Sequence, residues 1–485
     1  MKKVFDKFVN GCVTLVNKYL PDAFIFAVIL TIVVFVFAII VTGVAPSETV
    51  GVLDRFTNLI YTGWYGGFWS LLAFAMQMAL VVVTGSILAN TPQINKALVA
   101  LAKKPKTPGG AVFLVTFVGI VVAFINWGAA LIVGGILAKE IARQLKGVHY
   151  ALLVAAGYIG LGMWHGGFSG SIPLMVATAT NATSGVFSIS GGATFPIQAF
   201  NQTIFAPYNL FIYVGGLAVL PFVMKAMHPA ADKVTPVNPE MFAGEKAEEA
   251  PKARKDMTPA EKMENSVILN WIIVVLGFIA IIWYFVRMAR SGASFSLDLN
   301  MVNFIFLFVS MALYGKPIKT VRAVNEVAAG AAGVILQFPF YAGIAGMMVY
   351  TGGSTGTSIA KVVSDFFISI SNTTTFPIFV WLSAGIVNFF VPSGGGQWAV
   401  QAPLVLPAAV SMGVPIGKAA MSIAWGDCWT NLIQPFWALP LLAVAKLGAK
   451  DIMGYCIVCL IVLGVIMAIG MLIPPPAVAA LLLLA

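Results

Sequence analysis

Apolar runs of membrane length alternate with short polar loops along most of this chain. One span needs roughly 20 apolar residues. The runs that qualify are 21–41, 67–89, 148–179, 207–227, 269–290, 300–314, 331–350, 416–445 and 452–473. Gly, Pro and polar residues interrupt 148–179 and 416–445, which read as broken helices. Segments 109–143 and 374–407 have about 34 residues each, too long for one span and too short for two. Two arms of about 16 residues reach only about 24 Å at 1.5 Å per residue. Each segment therefore reads as a re-entrant hairpin. In residues 1–20, Phe5, Phe8, Cys12, Val16 and Leu20 recur at helical spacing, which predicts an amphipathic surface helix. Residues 228–268 are rich in Lys, Glu, Ala and Pro and read as a cytoplasmic linker. Within it, Thr258-Pro259-Ala260-Glu261 has the form of a capping box. Residues 474–485 form a tail.

The most informative stretch is 389–403, FFVPSGGGQWAVQAP, in a region with no Lys, Arg, Asp or Glu from 366 to 417. Lipid cannot satisfy open backbone groups, so a break at membrane depth survives only against protein or a water-filled cavity. Transporters place substrate and ion sites at such breaks. The broken helices carry the same signature, in GLGMWHGGFSGSIP (160–173) and WGDCWTNLIQP (425–435).

Composition excludes a soluble fold: 60% of residues are hydrophobic, 9% are charged, and mean hydropathy is +0.94. The net charge of +10 does not indicate nucleic acid, because the basic residues sit in short loops. With the N-terminus in the cytoplasm and 109–143 a hairpin, 23 of the 28 Lys and Arg fall inside. Only Arg55, Arg287, Arg290, Lys361 and Lys418 fall outside. A single crossing by 109–143 would split its basic flanks, against the positive-inside rule. The fold class expected is an all-α polytopic membrane protein, with about nine transmembrane helices and two hairpins.

A shift of 262 residues lays Asn126 on Asn388, His165 on Asp427 and Pro173 on Pro435. Under the charge-derived topology the hairpins face opposite sides. The repeats, 21–227 and 300–473, are then inverted, with 269–290 as an unpaired linking helix. His165 and Asp427 are the only ionisable residues placed deep in the membrane, and a deep carboxylate is a functional candidate by default. Asp427 is the candidate ion-coupling residue, with His165 as its weaker symmetry mate. Half-helix N-termini at the breaks offer free N–H groups to a carboxylate. The candidate substrate-binding set is Asn126, Trp127, His165, Ser169, Ser171, Asn388, Ser393, Gly394, Gly395, Gly396, Gln397, Trp398, Trp429, Thr430 and Asn431. For the polar members the plainer role is to satisfy broken backbone, and for the Trp residues it is packing. The three tip glycines are expected to supply positive φ or close approach. Gln77 and Gln337 read as packing residues. The outside loop with the sequons at Asn181 and Asn201 reads as a lid. No metal or catalytic motif is present: there is no HExxH or GxSxG, and the CxxC of Cys456 and Cys459 has no second ligand pair.

At VPSGGGQWAVQAP, MWHGGFSGS and WGDCWTN the chain resembles the AtoE-type short-chain fatty acid transporters of bacteria, within the ion-transporter superfamily. The resemblance implies an inner-membrane carrier, a homodimer with scaffold and transport domains, and elevator-like movement. It implies symport of monocarboxylates such as butyrate or acetoacetate with H+ or Na+, without a cofactor. The superfamily's dicarboxylate carriers use Ser-Asn-Thr motifs at their hairpin tips. Here the tips read Asn126-Trp-Gly and Pro392-Ser-Gly-Gly-Gly, so those roles do not carry over. An efflux carrier or cation/proton antiporter is the alternative on the same fold.

Overall fold

A computed structural model describes residues 2–42, 52–177, 186–189, 193–238, 254–290, 299–352 and 357–474. The Asn181 sequon, the middle of the expected linker and nearly all of the tail lie outside these residues. The described chain is almost wholly helical. The surface helix α1 (Lys2–Tyr19) precedes α2 (Ala23–Thr42) and α3 (Leu72–Ala89). The first hairpin is α4 (Pro108–Ile125) and α5 (Trp127–Gln144). The first broken helix is α6 (Tyr150–Tyr158) and α7 (Ser171–Ala177), joined through two short 3₁₀ turns, and α8 (Pro207–Ala226) follows. After the linking helix α9 (Val267–Arg290) the layout recurs as α10 (Leu299–Tyr314) and α11 (Ala332–Val349). The second hairpin is α12 (Phe376–Phe390) and α13 (Gly394–Ser411). The second broken helix is α14 (Ile416–Thr430) and α15 (Leu439–Ala445), and α16 (Ala449–Leu472) closes the fold.

Five helices among the described residues are long and apolar enough to cross a membrane, or eight if three bent pairs each count as one span. Shorter apolar helices such as Asn300–Tyr314 make up other expected spans. Three connecting helices were not expected: Pro92–Ala102, Pro317–Val327 and Ile359–Ser369. Two begin with Pro at the first turn, and Ser358 caps the third by accepting from Lys361 N at 3.2 Å. The capping box at Thr258 forms as expected, with Thr258 and Glu261 bonding each other's backbone N–H.

Both hairpins close on themselves. A Cβ on Gly147, just after α5, would sit 4.0 Å from Pro108 Cγ at the start of α4. Gly147 turns there at φ +76°, which suits glycine. Thr373 Oγ1, just before α12, donates to Met412 O beyond the end of α13 at 3.1 Å. The hairpins open at opposite ends of α16, whose 24 residues span about 36 Å. Beside the first mouth, Tyr150 OH donates to Ala445 O (2.9 Å) and His149 meets Tyr455 OH (2.9 Å). Beside the second, Lys418 Nζ donates to Ile473 O at 2.6 Å. The repeats are therefore inverted.

Glycines weld the first hairpin to the first broken helix. A Cβ on Gly134 would lie 2.7 Å from Gly157 O, and one on Gly160 would overlap Gly119 O. Such backbone-to-backbone contact is the small-residue packing of membrane helices. In the loop between α7 and α8, strands β1 (Val186–Ser188) and β2 (Thr194–Pro196) pair antiparallel, with Phe187 opposite Phe195.

Two histidines clip the start of the linker to α6. His149 Nδ1 accepts from Thr235 N at 3.0 Å, and His228 Nε2 accepts from His149 N at 3.2 Å. Tyr150 N donates back to Thr235 O at 3.0 Å. Both rings must stay neutral on the accepting nitrogen. Burial lowers the pKa of each, and the neighbouring His228 lowers that of His149 further. A depressed histidine pKa stabilises the fold above the unfolded value of about 6.5 and loses that contribution as pH falls below it. Each broken bond is worth about 1 kcal/mol. The melting temperature of the purified protein should therefore drop between pH 7.5 and 5.5. His149→Gln with His228→Gln, which keeps an acceptor but cannot titrate, should flatten that slope. An unchanged slope would place the pH dependence elsewhere.

Candidate functional site

The two broken helices and the second hairpin tip meet at His165. Its Nδ1 lies 2.9 Å from Ala424 O and 3.0 Å from an Asp427 carboxylate oxygen, and its Nε2 lies 3.0 Å from Ser171 Oγ. A carbonyl can only accept, so Nδ1 carries a proton and gives it to Ala424 O. The Asp427 carboxylate lies at ion-pair distance from the same nitrogen, yet neither of its oxygens has a hydrogen-bond partner among the described residues, and neither side chain has any exposure. The expected repeat mates thus touch.

Gly394 rests on this pair. A Cβ there would overlap Ser171 Oγ and come within 2.7 Å of the His165 ring. The neighbouring glycines differ from expectation. Neither Gly395 nor Gly396 has positive φ, and a Cβ on Gly395 meets only Met175 Cε at 3.6 Å. One of the three glycines makes the close approach, and the helix starts from Ser393, whose Oγ caps by accepting from Gly396 N at 3.2 Å.

One turn along α14 lies an amide cluster. Asn388 Nδ2 donates to Thr430 Oγ1 and to Asn431 Oδ1, both at 2.9 Å. Thr430 Oγ1 donates to Gly385 O at 2.9 Å, so it must accept from Asn388. That fixes both amides. Asn388 Oδ1 is left without a donor, and Asn431 Nδ2 without an acceptor. Gln397 Nε2 donates to Ala384 O and to Gln401 Oε1, both at 2.8 Å, and leaves its own oxygen unpaired. Gln401 passes the chain on to Ser364 and Ser383. A buried unpaired polar group costs about 1–3 kcal/mol. Several in one region single it out as the candidate site, since each unpaired group calls for a partner.

The first hairpin tip is more structural. Asn126 Oδ1 caps α5 by accepting from Ala129 N at 2.8 Å. Ser169 ties the tip to the first break, accepting from Trp127 N (3.2 Å) and donating to Ala123 O (3.1 Å). Trp127 reaches the His165 region through Trp164: their rings are 5.8 Å apart, and Trp164 stacks on His165 at 3.7 Å. Asn126 and Asn388 are therefore not equivalent in role, since Ser393 does for the second tip what Asn126 does for the first.

The tryptophans separate. Trp429 packs against Trp381 (4.4 Å) and donates to Leu460 O (2.8 Å). It lines a cavity of about 410 Å³ with Gly385, Ile386, Phe389, Phe390 and Ile433. Trp398 sits instead against β1, 6.2 Å from Phe187. Gln77, expected to pack, donates to Asn300 Oδ1 at 2.9 Å, away from the site.

Supporting residues were missed. Tyr158 OH donates to Asn431 O at 2.7 Å and holds the second break. Asn209 Nδ2 donates to Gly166 O at 3.0 Å, and its oxygen accepts from Trp425 Nε1 at 2.8 Å. Asn209 had a signal in the sequence, a lone amide in an apolar span; Tyr158 had none.

A family model described as short chain fatty acid transporter matches residues 4–473. A Haemophilus influenzae protein, named provisionally as a short-chain fatty acid transporter, is 42% identical over 94% of this chain and 97% of its own length. An Escherichia coli protein with the same name is 41% identical over the same shares. A solved structure of the Alcanivorax borkumensis YdaH transporter aligns with a TM-score of 0.42 and 14% identity, over 93% of this chain and 98% of that one. With a whole-length family match and relatives above 40% identity, this chain belongs to the short chain fatty acid transporter family.

Proposed function

We propose that this protein is a secondary active carrier of short-chain monocarboxylates, such as butyrate or acetoacetate, coupled to H+ or Na+. The observation that carries the reading is the gathering of unpaired polar groups on and around α14. Unpaired acceptors lie at Asp427, Asn388 and Gln397, and unpaired N–H donors at Asn431 and Gln434. A cation or proton suits the first group and an anion the second, so the pair travels with its charge cancelled. The alkyl tail occupies the cavity beside Trp429, a volume within the usual range for small-ligand sites. The carrier sits in a bacterial inner membrane with its N-terminus in the cytoplasm. It works as a homodimer by elevator-type alternating access, without a cofactor.

Uptake of labelled butyrate into proteoliposomes, with proton and sodium gradients imposed separately, tests this reading. Accumulation driven by one gradient is the expected result. No uptake under either gradient, or cation exchange for protons without a carboxylate, would refute it. Succinate should compete at least tenfold less well than butyrate, because its second charge would lie unpaired in a buried site. Equal competition would point to a dicarboxylate carrier.

A further inference from the structure

We propose that the amide NH₂ groups of Gln434 and Asn431 form a charge-neutral clamp for the substrate carboxylate. The inference rests on the monocarboxylate reading and locates its anion site away from the hairpin tips. Both residues are fully buried, in the break between α14 and α15. Gln434 Oε1 accepts from Phe436 N at 3.1 Å, which fixes that amide with its nitrogen turned away. Asn431 Oδ1 accepts from Asn388 in the same manner. Neither amide nitrogen has an acceptor. The backbone carbonyls of the same two residues both face Tyr158 OH, at 2.7 and 3.4 Å. Leu432 N and Ile433 N bond three residues back, so the chain turns tightly between the two amides, and the shared Tyr158 OH holds both ends of that turn. Two N–H donors brought this close match the two oxygens of a carboxylate. Thr430 and Ile433, in the same turn, line the cavity that takes the tail. Neutral donors suit a carrier, because a monoanion held without a lysine or arginine is released more readily than one held in a buried ion pair.

Gln434→Glu and Asn431→Asp test the clamp. Each keeps the oxygen that the fold uses and replaces only the free NH₂. At pH 8 the apparent KM for butyrate should rise at least tenfold, about 1.4 kcal/mol. The melting temperature without substrate should fall at pH 8, because the new carboxylate is buried without a counter-ion, and recover toward the parental value at pH 5.5. Butyrate should raise the melting temperature of the parent but not of the variants. For Gln434→Glu, assay at pH 5.5 should recover part of the affinity, because a protonated carboxyl donates again. Variants with parental KM and parental butyrate stabilisation would overturn the clamp and leave the carrier reading standing. So would a fall in maximal rate alone. A parent that neither takes up butyrate nor is stabilised by it would overturn both.

Discussion

Asp427→Asn proteoliposomes should lose butyrate accumulation against its gradient by more than tenfold, while counterflow exchange survives in part. His165 Nδ1 gives its proton to Ala424 O and lies 3.0 Å from an Asp427 carboxylate oxygen. Asp427 is fully buried, and neither of its oxygens has a hydrogen-bond partner among the described residues. An intramembrane carboxylate in that position takes a proton or holds a cation when the site is loaded. Asparagine keeps the shape and an acceptor oxygen but neither titrates nor carries charge. It removes the coupling step and leaves the binding groups of Asn431 and Gln434 in place. Concentrative uptake and counterflow, measured on the same vesicles, separate these two quantities. Parental accumulation by Asp427→Asn would make the residue a structural partner of His165 and nothing more.

Gly394→Val should abolish transport, while Gly395→Ala should keep most of it. The contrast follows from the space around each Cα. A side chain on Gly394 would overlap Ser171 Oγ and press on the His165 ring. Both neighbours are held, His165 by Ala424 and Asp427, and Ser171 by His165. Overpacking of this kind costs about 1–3 kcal/mol and moves whatever lies behind it. At Gly395 a methyl group meets only the flexible end of Met175 at 3.6 Å. Uptake assays on both variants, at matched amounts of protein in the vesicles, decide the point. Near-parental uptake by Gly394→Val would show that the second tip does not govern the His165–Asp427 pair.

Much of the fold could be read in the sequence because the bilayer restricts what backbone can do. The breaks at GLGMWHGGFSGSIP and WGDCWTNLIQP stood out because glycine, proline and polar residues cluster there together, and freed backbone at membrane depth must be lined by protein or a water-filled cavity. The 262-residue offset made His165 and Asp427 repeat mates, but that their side chains meet came only from the packing of the two broken helices. Other features were not legible. Three consecutive glycines look alike in a sequence, and which one touches His165 depends on the rotation of α13. The division of the amides into donors and acceptors depends on which oxygen the fold engages, as Phe436 N does for Gln434. Trp398 and Trp429 stood equally close to breaks. Only packing sends one to β1 and the other to the cavity. The connecting helices such as Pro317–Val327 escaped notice because they are amphipathic and brief, with lysine and arginine masking the apolar stripe.

The glycine contacts between the first hairpin and α6 bear on where the molecule yields. Gly134 on Gly157 and Gly160 on Gly119 leave no side chain to change rotamer and no gap to close. Surfaces in such contact have no slack, so they shift together or separate altogether. A carrier's working stroke then treats these helices as one girder, with its compliance confined to seams where long side chains meet, as Phe26 does Phe389 across α2 and α12. Cross-links placed across the girder should be silent in transport, and cross-links placed across the seam should arrest it.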